Sequence, residues 1–336
     1  MAFIRRREAL KLIGATALVG AVGSRAMDAV AAGKRMVVIH KIAGIPWVNM
    51  MADGVVQGGK KFGIDASLIG PATPDPAQQV KLIEDVIAQK VDVIGLVPLD
   101  EKVCAPSLKR AQAAGIKVVT LEGPNQDGRD WNVDLVNSKT FGEIQMQRLA
   151  AAMGEKGKYV VYVGTLTTPL HNVWADAAIA YQKTNYPNMT LATDRFPGGD
   201  EVDVSQRTTL DVVKAYPDVT GVLAEGSNGP IGAGNAIKQL HLEKKIAVVG
   251  TCVPSQAQAL LKAKIIRECT LWNPTLSGYA MVAVAKLLLD GTPIVPDMEI
   301  ADLGKASIDP AKKAIQFDKI LEITTENVDS LVATGL

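Results

Sequence analysis

The side chains in this sequence best suited to chemistry stand just after runs of apolar residues. Lys41 follows Met36-Val37-Val38-Ile39-His40, and Trp47 comes a few residues later. Glu122 follows the run from Ile116 to Leu121, and His171 and Asn172 close a polar loop that begins at Thr165, after a run ending at Val163. Glu225, Ser227 and Asn228 come after Val219 to Ala224, and Trp272 and Asn273 come after Ile265 to Leu271. Carboxylates, amides and an ammonium make charge-assisted hydrogen bonds to hydroxyls. Flat aromatic faces cover the apolar C–H side of a ring and exclude water. The set therefore suits the binding of a small polyhydroxylated molecule. Each member also has a plainer use. Lys41 suits a solvated loop, Trp47 and Trp272 suit packing between domains, and Glu122 and Glu225 suit backbone bonding. Ser227 and Asn228 stand where a helix N-cap is expected, and His171 suits a loop or cap.

Catalysis is not expected. There is no G-x-S-x-G elbow, no H-E-x-x-H, no P-loop, and no G-x-G-x-x-G after the first apolar run. Nothing in the sequence orients His171 as a base must be oriented. With His40, His171 and His241 the only histidines, no Cys/His spacing suggests a metal, and no cofactor is implied. Cys252 and Cys269 are near enough in sequence to pair, which would leave Cys104 as a buried free thiol.

The elements that would carry these residues alternate regularly. Strand-length runs such as Val91 to Val97 are apolar throughout. They are separated by helical stretches at Val48 to Phe62, Pro76 to Gln89 and Glu101 to Ala114, with Gly63 and Gly115 as stops. Strands apolar on both faces imply parallel sheets covered by helices on both sides. The polar, turn-rich stretch from Glu122 to Asn137 interrupts the rhythm, which resumes at Ser138 and runs to Leu289; beyond Pro293 periodicity is weak. The expected fold class is α/β, with two doubly wound parallel-sheet lobes joined by a multi-crossing hinge. The expected division is 33–122 with about 274–297 in one lobe, and 123–273 with about 298–336 in the other. Crossings are expected near 122–137, 272–273 and 296–299. Doubly wound sheets bind ligands beyond the carboxyl ends of their strands, so two facing sheets would enclose a polar cleft.

Composition agrees with a globular chain of 336 residues, 48% hydrophobic and 21% charged. The net charge of +1 conceals an asymmetry. Arg5, Arg6, Arg7, Lys11 and Arg25 against Glu8 and Asp28 make the first 32 residues basic, and the remainder is mildly acidic. An acidic body argues against nucleic acid or an anionic membrane as partner. The basic head, the apolar run from Leu12 to Gly23 and the small residues Ala29-Val30-Ala31 read as a cleaved signal peptide over 1–32. Arg6-Arg7-Glu8-Ala9-Leu10-Lys11 also suits a twin-arginine signal, and the Sec route stays open. No cysteine precedes Cys104, so no lipid anchor is expected after the apolar run, and the predicted location is the periplasm. The first thirty residues do not form the basic helix-turn-helix that a two-lobed repressor needs.

Several stretches together are similar to a known family. They are Lys41-Ile42-Ala43-Gly44, Ala66 to Pro71 with Gln79-Val80, Cys104-Ala105-Pro106-Ser107-Leu108-Lys109-Arg110-Ala111, Ala215-Tyr216-Pro217-Asp218, and Leu271-Trp272-Asn273-Pro274. In order and spacing they resemble the type I periplasmic sugar-binding proteins of ABC importers, in the ribose-binding-like family and its autoinducer-2 and rhamnose-binding branch. The resemblance covers nearly the whole chain after the signal. It implies a monomer that binds a sugar or polyol between its lobes and delivers it to an ABC permease in the inner membrane. A periplasmic sensor component presenting a sugar-like signal to a receptor would use the same pocket. Lys41 and Glu122 match the family's Lys after the first strand and Asp after the fourth. The family's adjacent Asp-Gln pair falls on Leu170-His171, Glu225 and Ser227 replace Pro and Ala, and Cys252 replaces the Asp of ribose binders. The fold and transport role carry over; the particular ligand does not.

Overall fold

The structure is a computed structural model that describes residues 33–336. The expected signal peptide lies outside the described residues. The first half begins with β1 (Lys34–Ile39), α1 (Pro46–Phe62), β2 (Ile64–Ile69), α2 (Pro76–Ala88), β3 (Val93–Leu96), α3 (Glu101–Ala113), β4 (Lys117–Thr120) and β5 (Trp131–Asp134). The next stretch carries α4 (Ser138–Met153), β6 (Gly157–Tyr162), α5 (Pro169–Asn185), β7 (Met189–Leu191), α6 (Val202–Ala215), β8 (Val219–Ala224), α7 (Gly229–Gln239), β9 (Ala247–Thr251), α8 (Pro254–Lys262) and β10 (Ile266–Leu271). After α9 (Pro274–Asp290) come the short elements β11 (Ser307–Asp309), β12 (Ala314–Gln316), β13 (Leu321–Ile323) and α10 (Val328–Ala333).

Local sequence accounts for the helix ends. The Asp75 side chain accepts from Ala77 and Gln78 N–H to open α2, and Asp100 accepts from Lys102 and Val103 N–H to open α3. Gly63, Gly154 and Gly291 close α1, α4 and α9 in the left-handed conformation that only glycine adopts without strain.

Two sheets result. The first has the order β11-β12-β5-β4-β3-β1-β2 and the second β13-β10-β9-β8-β6-β7. Neighbours are parallel except β11 with β12 and β13 with β10. Side chains of β1 alternate faces, as a strand requires. Val37 and Ile39 pack with α2 and α3 through Ile83, Val86, Cys104 and Leu108, while Met36 and Val38 face the side of α1 and α9. In the second sheet Tyr159, Val161 and Val163 pack with Leu149 of α4 and Ala175 of α5, and Val160 and Tyr162 face the α6 and α7 side. Cys252, just beyond β9, is disulfide-bonded to Cys269 of β10, with 5.6 Å between their Cα atoms. Closing a loop of that length contributes about 3 kcal/mol in the chain-entropy picture. Cys104 is a buried free thiol, and burial pushes its pKa up to about 12.

The strands differ from the expected division in two places. β5 forms from Trp131-Asn132-Val133-Asp134, inside the turn-rich stretch, and pairs with β4, so the chain stays with the first sheet to Asp134 rather than leaving it at 122. The weakly periodic tail supplies β11 and β12 to the first sheet and only then β13 to the second. The chain therefore crosses between sheets at 135–137, 272–273 and 317–320, and the third crossing is not at 296–299. The outer crossings run side by side, with Phe317 N–H donating to Asp134 O at 2.9 Å and Lys319 N–H to Leu135 O at 3.0 Å. Among the described residues no helix is long and apolar enough to span a membrane.

Candidate functional site

The carboxyl ends of both sheets converge on one narrow cleft lined by buried side chains. From the first sheet, the turn after β1 supplies His40, Lys41 and Ile45, α1 supplies Trp47, and the residue after β4 supplies Glu122. From the second, α5 supplies His171 and Trp174, and the turn after β8 supplies Glu225 and Ser227. Thr251, the end of β9, Trp272, just past β10, and Asp200, just before α6, complete the wall.

Lys41 is the electrostatic centre. Its Nζ donates to Glu122 Oε2 at 2.9 Å and lies 3.0 Å from His171 Nε2, on the opposite side of the cleft. Burial alone would depress the ammonium, but the carboxylates of Glu122 and Asp200 outweigh it and hold its pKa above the ordinary value. Burial, reinforced by Lys41, lowers His40 to about 3 and takes His171 well below its usual range, so both rings are neutral. Gly164 N–H donates to His171 Nδ1 at 3.0 Å, which leaves the ring proton on Nε2, facing Lys41. Glu122 sits at φ +58°, a left-handed conformation unusual for a residue with a side chain, and its N–H is fixed by Asp134 Oδ1 at 2.9 Å. Asp134 is itself buried, and that burial pushes its pKa up to about 7.

Two further acid groups of the lining lack direct hydrogen-bond partners, although Lys41 bears on Asp200 and Gln145 lies beside Glu225. Glu225 is fully buried, neither of its carboxyl oxygens meets a protein hydrogen-bond partner, and Asp200 Oδ2 meets none either. Burial pushes Glu225 up to about 8 and raises Asp200. The aromatic wall is continuous. Trp272 meets Trp47 edge-on at 5.8 Å and Trp174 at 5.4 Å, while the His171 ring stacks on Trp174 at 5.3 Å. Trp272 Nε1–H is fixed by Ser277 Oγ at 2.8 Å.

Of the residues singled out by sequence, Lys41, Trp47, Glu122, His171, Glu225, Ser227 and Trp272 come together in this cavity. Asn172, Asn228 and Asn273 do not line it. Asn172 donates to the carbonyls of Thr165, Leu166 and Thr168 and accepts from Arg195. Asn228 donates to the Asp200 carbonyl at 2.9 Å, and Asn273 caps α9 through Thr275 and Leu276 N–H. Sequence reasoning missed His40, Ile45, Trp174, Asp200 and Thr251. Of these, only Thr251, directly after an apolar run, carried the signal used for the others.

Comparison with known proteins supplies the context for this geometry. The family model described as periplasmic binding protein domain matches residues 36–293. The ribose import binding protein of Bacillus subtilis is 22% identical over 250 residues, 73% of this chain and 78% of that protein. The D-apiose import binding protein of Paraburkholderia graminis is 22% identical over 264 residues, 76% of this chain and 81% of that protein. Among solved structures, LsrB from Clostridium saccharobutylicum in complex with AI-2 superposes with a TM-score of 0.82 at 19% identity, covering 88% of this chain and 99% of its own. A solute-binding protein of a Clostridium ABC transporter with bound L-rhamnose gives 0.83 at 21% identity, covering 90% and 98%.

Proposed function

The chain belongs to the periplasmic binding protein family, as a binding protein rather than an enzyme, and from that premise we propose that its buried cavity takes up a small sugar or polyol for delivery to an ABC permease in the inner membrane. One observation carries the reading. A cleft at the carboxyl ends of two facing sheets gathers Lys41, Glu122, Asp200 and Glu225 with three tryptophans. Monosaccharide-sized ligands need that combination of hydrogen-bonding edges and flat apolar cover. The Lys41–His171 contact supports it further. Both groups bring a proton to a 3.0 Å approach, and an oxygen seated to one side of the pair would accept from both.

On this reading Lys41, Trp47 and Glu122 hold the solute from the first-sheet side, and His171, Asp200, Glu225, Ser227 and Trp272 from the second. Ligands named for relatives are guides to class only: ribose and D-apiose for the curated proteins, and AI-2 and L-rhamnose for the structures. The test is a thermal-shift screen of the protein from Ala32 onward against pentoses, hexoses, deoxysugars, alditols and AI-2. A solute that binds only the folded state raises the melting temperature by mass action. A folded protein, free of co-purified solute, that shifts with no member of the panel would remove the reading.

A further inference from the structure

Glu225 is the carboxyl group of the cleft that no described residue answers. Lys41 serves the other two: its Nζ donates to Glu122 at 2.9 Å, and its charge bears on Asp200. Glu225, at no solvent exposure, has both carboxyl oxygens without a hydrogen-bond partner. The amide beside it, Gln145 of α4, has no hydrogen to spare. Gln145 Nε2 donates to Thr270 Oγ1 at 2.8 Å and to Thr251 Oγ1 at 3.1 Å, which uses both of its N–H groups. What the amide has left is Oε1, buried and itself unpartnered. Arg195, the cation whose charge reaches Glu225, lies outside the lining and is held by Asp176 at 2.6 Å and Asn172 at 2.8 Å. His40 and His171, the other titratable groups of the lining, are neutral.

A buried carboxylate with neither a cation nor donors is costly, and a proton removes most of that cost. Burial raises the Glu225 pKa to about 8, in keeping with this geometry. A sugar or polyol could bring hydroxyl donors, but it would also exclude water from the cleft and bring no charge. An un-ionised acid has one O–H to give and a carbonyl oxygen that accepts, and the hydroxyls and ring oxygen of a sugar can meet both. An ionised one could only accept. Resting on the assignment of the cleft as a sugar or polyol site, we infer that Glu225 meets the solute as an un-ionised carboxylic acid, its O–H donating to a solute oxygen and its carbonyl accepting from a solute hydroxyl, so that binding selects the protonated protein.

The experiment is calorimetric titration at about pH 8, in buffers of different ionisation enthalpy, with the pentoses, hexoses, deoxysugars and alditols that raise the melting temperature. At that pH about half of the protein without solute lacks the Glu225 proton, so binding should draw about half a proton from the buffer. Affinity should fall about tenfold between about pH 7 and about pH 9. Lys41, raised, and the two histidines, lowered, keep one state throughout that range. Asp134 and Asp200, also raised, are unchanged in Glu225→Gln, where the uptake should vanish and the fall with it. In Asp200→Asn the uptake should remain. Release of a proton on binding overturns the inference and leaves the sugar-site reading standing, because the solute would then be held by the carboxylate. An uptake that survives in Glu225→Gln, or disappears in Asp200→Asn, overturns it as well. A panel in which nothing binds removes both. The direction of proton exchange in the wild type and in Asp200→Asn decides the matter even if the Gln variant does not fold.

Discussion

Lys41 keeps its charge in a site with almost no exposure because Glu122 and Asp200 both answer it. Removing one partner of a buried pair leaves an uncompensated charge, whereas replacing both with uncharged groups can be nearly neutral. Glu122→Gln should therefore lower unfolding stability by about 3 kcal/mol in urea titrations, and adding Lys41→Met should restore part of that loss. Additive losses in the double variant would mean the pair is not coupled. Glu225 makes a pH-dependent contribution of defined sign. Its folded pKa is raised from 4.5 to about 8, so the folded state holds a proton that the unfolded state has already released. Stability from this group is complete below about pH 4.5 and is lost as pH rises through about 8. Relative to Glu225→Gln, the wild type without solute should lose on the order of 3 kcal/mol across that interval, read from denaturation at several pH values. Asp134 and Asp200, also raised, are present in both proteins and cancel in the comparison. A residue such as Lys41 or Glu225 was legible because a polar side chain directly after an apolar strand lies at the strand's carboxyl end. Trp174 was not, since an aromatic residue within an amphipathic helix reads as core. Asp200, in Gly198-Gly199-Asp200, reads as a turn, and only the alignment of Phe196 beside Tyr162 carries that turn to the cavity.

Among the elements, α1 and α9 make the closest helix contact on the first sheet, and glycine makes it so. A Cβ on Gly54 would overlap the Thr275 carbonyl, and one on Gly278 the Met51 carbonyl. Gly142 plays the same part where α4 meets α5, against the Trp174 carbonyl. Backbone leaves little room to give, so Gly54→Ala should cost about 1–3 kcal/mol in a denaturant melt, although alanine is the better helix former. A stabilised variant would show that α1 and α9 can separate without penalty. Because α1 carries Trp47, the same substitution should also weaken solute binding. The long elements were legible because their apolar runs and glycine stops repeat without interruption from β1 to β4 and from α4 to α9. The strands β5, β11, β12 and β13 were not. Each is three or four residues long and mixes polar with apolar side chains, and each owes its conformation to a neighbouring strand rather than to its own pattern.

At the scale of the molecule, among the described residues one hydrogen bond joins the facing halves away from the crossings, from Thr167 Oγ1 to the Leu99 carbonyl at 3.3 Å, and Lys41 and His171 meet across the cleft as two donors. So few bonds across a cleft suit hinged closure, in which the solute itself supplies most of the difference between open and closed populations. A sugar or polyol that binds should therefore reduce the radius of gyration in solution scattering. An unchanged radius would mean that the halves stay closed without it. The general two-sheet architecture could be read in advance, but the third crossing could not, because the segment that makes it has no periodicity of its own.

That segment has a consequence in time. β12 closes onto β5 and β13 onto β10, so residues 307–323 finish an edge of both sheets. A ribosome that has made the first three hundred residues has completed neither. Until that segment is made two open edges await partners, the first sheet's strand preceding the second's. Completion of both sheets is thus tied to one short, late stretch of the chain.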